Sequence, residues 1–335
     1  MAVDAMRSLL ERRLVVVIGK GGAGKTTVAA ALALAAQRAG LKVLVAEVGP
    51  DESLPQLIAP NSAPVGYAGR ELLPGLSAMR IDAFEALASY LSLQIGLRTL
   101  VDALMRNKSF RQLLNAAPGW RDLITLGKVW QLEQLEASPG IPLYDLIIVD
   151  APATGHGVSF LDVPRVVVSV VKKGPLHRHA EHVEAMIRDP RRTVLLPVSL
   201  AEELPVRETT ELVERARQEI GIAVDRVVVN AVQSAPFPDD LPNLASLLSR
   251  LPDDAQVGDL PPARTLASCA AYVESRYQLN RSYCDEVAHG TDLPIVTLPY
   301  LPYGFRGRDD LARLGESLLA EAAPPAADPA KETAR

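Results

Sequence analysis

Three things are scarce in these 335 residues: cysteine, an excess of positive charge, and long apolar runs. The two cysteines, Cys269 and Cys284, do not form a C-x-x-C pair. The zinc sites and redox dithiols that such pairs build are therefore not expected. Two scattered thiols suit a reducing compartment better than a disulfide framework. Lysine and arginine number 35 against 40 acidic residues, a formal net charge of −5. Nucleic-acid binding draws on a basic excess, so no nucleic-acid partner is expected. Apolar runs such as VAAALALAA fall far short of the roughly 20 residues a membrane helix needs. The opening MAVDAMRSLLERRL carries charges where a signal peptide has an apolar core. These absences point to a soluble cytoplasmic protein with no integral membrane segment.

What is present is alternation. The runs RLVVVI (Arg13–Ile18), KVLVAEV, LSAMRI, YDLIIVD, TVLLPVSL, DRVVVNAV and LPIVTLPY are separated by helix-like segments. Most are continuously apolar, as expected of strands covered on both faces by helices. Between Leu195 and Asn230 lies a β-α-β unit. Its helix, about Val206 to Ile220, sets Leu212, Val213, Ala216 and Ile220 on one face and stops before Gly221. RVVVSVVKK (Arg165–Lys173) is ambiguous. β-branching suggests a strand, whereas Pro164 before it and Gly174 after it suit a helix start and stop, and a helix is expected. Phe84 to Leu135 forms a long helical insert interrupted at NAAPGW (Asn115–Trp120). The expected fold is a doubly wound α/β domain over residues 1–322. It has a mostly parallel sheet and a helical insert at about 84–137. An Ala/Pro-rich tail, 323–335, is expected to be disordered.

GKGGAGKTT (Gly19–Thr27) follows the first strand and opens a helix. Backbone N–H groups of Gly19, Gly21, Gly22, Ala23 and Gly24 and of the helix start (Lys25, Thr26, Thr27) can surround polyphosphate. Lys25 should neutralise the β- and γ-phosphates, and Thr26 should hold Mg²⁺ through its hydroxyl. This is the pattern of a P-loop NTPase with Mg-ATP as ligand. YDLIIVDAPATGHG ends a second apolar strand at Asp150, where a carboxylate can hold a Mg²⁺-bound water. Gly155 can present a backbone N–H to the γ-phosphate.

Lys20, inside the glycine-rich bend, resembles the early lysine of the deviant phosphate loops in signal-recognition-type and partitioning-type ATPases. DAPATGH with FLDVP (Phe160–Pro164) looks like the second switch of one branch, the arsenite-pump and tail-anchored-protein-targeting ATPases. VSLAEELPVRETTELV, VVVNAV and LPYLPYGFRG (Leu298–Gly307) fall in the family's order, and the resemblance covers most of residues 13–320. It implies ATP hydrolysis coupled to opening and closing of a homodimer, or of a heterodimer with a paralogue. It implies that Lys20 reaches the partner's nucleotide and that Asn230 reads adenine. The late loop containing Pro302 would then cover the base. A cation supplied in trans stabilises phosphate charge only after dimerisation. The residues alone leave open that Lys20 is a solvated loop lysine and Asn230 an ordinary strand-end turn residue.

The sequence also departs from that family. Aligning Pro50 of AEVGPDESL (Ala46–Leu54) with the family proline puts Gly49 where an aspartate should orient the attacking water. Glycine cannot do so. Asp51, Glu52 and Glu47 are the shifted candidates, Asp51 foremost, and hydrolysis is expected either to be slow or to use one of them. With one phosphate loop and no clustered cysteines, arsenite pumping is not expected. The Leu/Met-rich stretch Phe84–Met105 is either a client surface or, as preferred, core or dimer contact. His177, His179 and His182 read as a solvated basic helix rather than a metal site. His156 lies in the switch and is assigned to relaying nucleotide state. A weakly hydrolysing, nucleotide-gated regulatory or partitioning-type dimer is the alternative function.

Overall fold

The β-branched runs become strands because each is walled in on both sides. In β1 (Leu14–Gly19) every residue is buried. Val15 and Val17 enter one core, and Leu14, Val16 and Ile18 enter the core on the opposite face. This two-sided burial requires apolar residues at odd and even positions alike. The computed structural model describes residues 9–49, 52–116, 119–152, 157–238, 244–256 and 258–320.

From the phosphate loop the chain enters α1 (Lys25–Arg38), β2 (Val43–Val48) and the short α2 (Leu54–Ile58). A hairpin follows, β3 (Arg70–Leu73) and β4 (Leu76–Ile81). Four helices, α3 (Ala83–Ile95), α4 (Arg98–Arg106), α5 (Lys108–Ala116) and α6 (Trp120–Glu133), precede the small ribbon β5 (Glu136–Ser138) and β6 (Ile141–Pro142). Then come β7 (Leu146–Asp150), α7 (Gly157–Val170), α8 (Pro175–Arg188) and β8 (Thr193–Leu200). The helix α9 (Glu203–Arg215) continues as a π turn, Ala216–Ile220, before β9 (Val227–Val232). The chain ends its described part with α10 (Leu244–Leu248), α11 (Ala263–Thr291), β10 (Ile295–Pro299) and α12 (Arg308–Leu319).

The sheet has eight strands in the order β10-β9-β8-β1-β7-β2-β4-β3. All neighbours are parallel except β3 against β4. The sheet and its flanking helices are as the sequence led us to expect. Helices α1 and α12 share one core with the odd-numbered residues of β1, while α6 to α9 and α11 build the other. Small residues let α12 approach α1 closely: a Cβ at Gly315 would lie 2.6 Å from the Ala31 carbonyl oxygen.

Two expectations need correction. The helix around Arg165 does not start at Pro164; α7 runs from Gly157 straight through it. Proline removes one i→i−4 bond, but Val158, Phe160 and Leu161 before it are buried in the core and hold the segment in place. The insert breaks at Gly96, whose φ of 74° is left-handed, and at Asn107, besides the break before Trp120. Its helices span Ala83 to Glu133 and carry a small core of their own around Ala86, Leu87 and Ile124. The residues named as a disordered tail, 323–335, lie outside the described residues.

Candidate nucleotide site

Strand β1 stops at Gly19 because the chain passes tightly under β8. A Cβ at Gly19 would lie 2.2 Å from the Val198 carbonyl oxygen. The loop then turns, with Ala23 N donating to Lys20 O at 3.2 Å. Gly22 and Gly24 adopt φ of 83° and 91°, which favours glycine at both. Space also demands glycine at position 24, where a Cβ would collide with Asn230 Nδ2 at 2.1 Å. Gly24 opens α1 without a side-chain cap. The first N–H groups of the helix therefore face the loop as an anion-binding end.

Lys25 is buried and its ammonium folds back to donate to Lys20 O at 3.2 Å. Burial lowers its pKa, and Asp150 pulls it back up. Thr26 Oγ1 donates to Asp150 Oδ2 at 2.6 Å. Asp150 is 5% exposed at the end of β7, and its Oδ1 is buried without a hydrogen-bond partner among the described residues. Burial pushes its carboxyl up to about 6, with the Thr26 hydroxyl opposing and Glu47 adding to the rise. A hydroxyl beside a buried carboxylate with one oxygen unused is an oxygen-only donor set, and it fits Mg²⁺. Thr27 is half-buried in the first turn of α1, and Gly21 is exposed.

Asn230, at the end of β9, donates from Nδ2 to Ala23 O at 2.9 Å. It thus ties the phosphate loop to a strand two places away in the sheet. The next residue, Ala231, has φ 56°, a left-handed conformation that no sequence signal announces. Pro302 lies exposed in the turn after β10. Tyr300 N donates to Val232 O at 2.8 Å, which anchors that turn beside the end of β9. Lys20 leaves the loop outward and pairs with Glu208 Oε1 of α9 at 2.7 Å within the same chain.

Two of the three shifted carboxylates, Glu47 and Glu52, are occupied. Glu47 accepts from Ser53 N, Ser53 Oγ and Leu54 N at the start of α2. Glu52 accepts from Val65 N and Gly66 N and pairs with Arg80 at 3.3 Å. Gly49 has φ 153° with nothing within 4 Å of where a Cβ would stand. Asp51, Pro50, Gly155 and His156 lie outside the described residues.

Sequence reasoning missed Asn280 of α11. It is buried, accepts from Gln233 N at 2.9 Å and donates to Ala201 O at 3.1 Å. It thereby bridges the segments leaving β9 and β8. A single asparagine within a long helix carries no signal of this. Among the described residues no three His, Cys, Asp or Glu side chains converge as a metal site, and no helix is long and apolar enough to cross a membrane.

With that geometry in view, residues 12–176 match the family model described as anion-transporting ATPase. Residues 12–176 belong to that family. The chain is 35% identical over 223 residues to ATPase BagA of Mycobacterium tuberculosis, covering 65% of this chain and 64% of that one. The match thus spans less than two thirds of that relative's length. The chain is also 24% identical over 324 residues to a putative arsenical pump-driving ATPase of Halobacterium salinarum, covering 91% and 44%. It is 24% identical over 367 residues to ATPase get3 of Neurospora crassa, covering 96% and 95%. The matched family segment contains the phosphate loop, Asp150 and the whole insert, but Glu208 and Asn230 lie beyond it.

Proposed function

We propose that this chain is a cytoplasmic ATP hydrolase that binds Mg-ATP at Gly19–Thr27. Its nucleotide state would open and close a homodimer, or a pair with a paralogue. The observation that carries the reading is the joint placement of the loop, the folded-back Lys25 and the Thr26–Asp150 hydrogen bond at adjacent strand ends. Loop N–H groups and the start of α1 would bind the phosphates, and Lys25 would unfold from Lys20 O to meet them. Thr26 would hold Mg²⁺ and Asp150 a water bound to it, and the ion when bound would screen the phosphate charge. Lys20 would leave Glu208 to reach the partner subunit's nucleotide. Asn230 and the turn at Pro302 would border the base. Leu93, Leu97 and Leu100 of the insert, all more than half exposed, offer an apolar surface for a second copy or a client protein.

The alternative, a weakly hydrolysing nucleotide-gated regulator, is favoured by one specific observation. Glu47 and Glu52 are both engaged in structural hydrogen bonds, and Gly49 brings no side chain. Binding of a fluorescent ATP analogue to the full chain, followed by single-turnover hydrolysis, tests both readings. Lys25→Ala should weaken binding at least about tenfold, since charge-assisted contacts to phosphate are lost. Unchanged affinity in that variant would remove the loop from the site. Tight binding with turnover indistinguishable from buffer would select the regulator.

A further inference from the structure

A cavity of about 150 Å³ opens between α3, α6 and α8, and none of its lining residues belongs to the phosphate loop. Ala86, Tyr90 and Leu93 of α3 face it at i, i+4, i+7 spacing, and Ile124, Lys128 and Gln131 of α6 face it likewise. His179 of α8 closes one side. Its ring lies 5.2 Å from Tyr90 and 5.5 Å edge-on from Trp130, which stacks on His182 on its other side. Gly127 makes this possible: a Cβ there would lie 2.1 Å from His179 Nε2. The walls are thus largely aromatic and apolar, and a cavity of this size admits a single six-membered ring.

One polar feature stands out. Lys128 is half-buried at the cavity, its ammonium 3.2 Å from Gln131 Oε1 and 5.0 Å over the Tyr67 ring. No carboxylate lies within ion-pair distance of it among the described residues. His179 is driven toward its neutral form by burial and His182, so Lys128 is the cation of this cavity. A partly desolvated cation with no carboxylate partner, at an aromatic wall, is complementary to an anion carrying a ring.

We propose that this cavity is a binding site for a small aromatic monocarboxylate. The ring would sit between Tyr90, Trp130 and Ile124, and the carboxylate would pair with Lys128. The proposal does not depend on the nucleotide reading, because it uses no residue of that site.

Phenylacetate is a suitable probe, titrated into the full chain by calorimetry and by tryptophan fluorescence in a Trp120→Phe background that leaves Trp130 as reporter. Toluene and phenethylamine serve as neutral and cationic controls of similar shape. Phenylacetate should bind saturably with Trp130 responding, and toluene should bind at least about tenfold more weakly. Lys128→Met should weaken phenylacetate at least about tenfold with the melting curve retained. Ala86→Leu, which fills the cavity, should abolish the response. Equal binding of toluene and phenylacetate, or no change in Lys128→Met, would overturn the carboxylate assignment. Absence of saturable binding at millimolar probe, or displacement only by an apolar helical peptide, would overturn the small-molecule site.

Discussion

The ends of β2 and β7 set two buried carboxylates side by side, Glu47 directly across from Asp150 in the sheet register. Their fates differ. Glu47 is surrounded by donors from the start of α2 and works as that helix's cap. Asp150 receives one hydroxyl and keeps an oxygen unpaired among the described residues, and burial pushes it up to about 6. A carboxylate with its donors supplied by the chain holds a loop. One left short of donors is destabilised when ionised, and a bound cation relieves that. The residue type is shared, and the count of nearby donors separates structure from function.

Asp150→Asn tests the comparison with the largest expected effect. Loss of the charge should weaken Mg²⁺ binding in the presence of ATP by about 10–100-fold, measurable by calorimetry. The metal-free variant should be more stable than wild type at pH 7, by up to about 3 kcal/mol, because a shift of roughly two pK units is relieved. The sign follows from linkage. The folded state holds this proton more tightly than the unfolded chain does. Asp150 therefore lowers metal-free stability as pH rises from about 4 to about 6. In urea titrations the gain of Asp150→Asn over wild type should shrink as pH falls toward 4. A gain that is constant with pH would show that another group is responsible.

Glu47→Gln should have the opposite sign and a smaller size. An amide leaves one acceptor oxygen, which the Ser53 and Leu54 N–H groups must share, and the Ser53 hydroxyl loses the carboxylate oxygen it donates to. We expect a loss of about 2 kcal/mol in chemical denaturation, with Mg²⁺ affinity changed far less than in Asp150→Asn. If the two variants lost Mg²⁺ affinity equally, the division of labour between the strand ends would be wrong.

The difference between the two carboxylates was only partly legible in the sequence. Seven strands could be read because burial on both faces makes them continuously apolar, and the phosphate loop because glycine and lysine recur at fixed offsets. Asp150 could be read as the polar end of an apolar strand. Glu47 could not, since its partners Ser53 and Leu54 meet it only after the chain turns. The edge strand β3 was missed because RELL is short, polar and exposed in its first two residues, and paired only by its hairpin. The helix α11 was missed because its first half is largely exposed and carries no single apolar stripe, whereas Asn280, Cys284 and Val287 bury its second half. Placements such as Asn230 on Ala23 O, or His179 on Gly127, depend on residues far apart in the chain.

The smallest expected effect on stability belongs to Lys20. Its pair with Glu208 is close to half exposed on both sides, so it should contribute less than about 1 kcal/mol. Glu208→Gln should therefore leave the melting curve nearly unchanged. In the proposed dimer, however, Lys20 has to leave Glu208 before it can meet a second nucleotide. Releasing it in advance should raise the ATP-dependent dimerisation constant by up to about fivefold for each subunit, the equivalent of that same 1 kcal/mol. Light scattering in ATP and in ADP measures this, with Lys20→Ala expected to lower the ATP value. The comparison with Asp150 is then complete in kind: one charged group is short of partners and awaits a cation, and another is lightly held and awaits a phosphate. If both variants dimerise as wild type does, the ion pair is a surface contact and Lys20 serves only the loop.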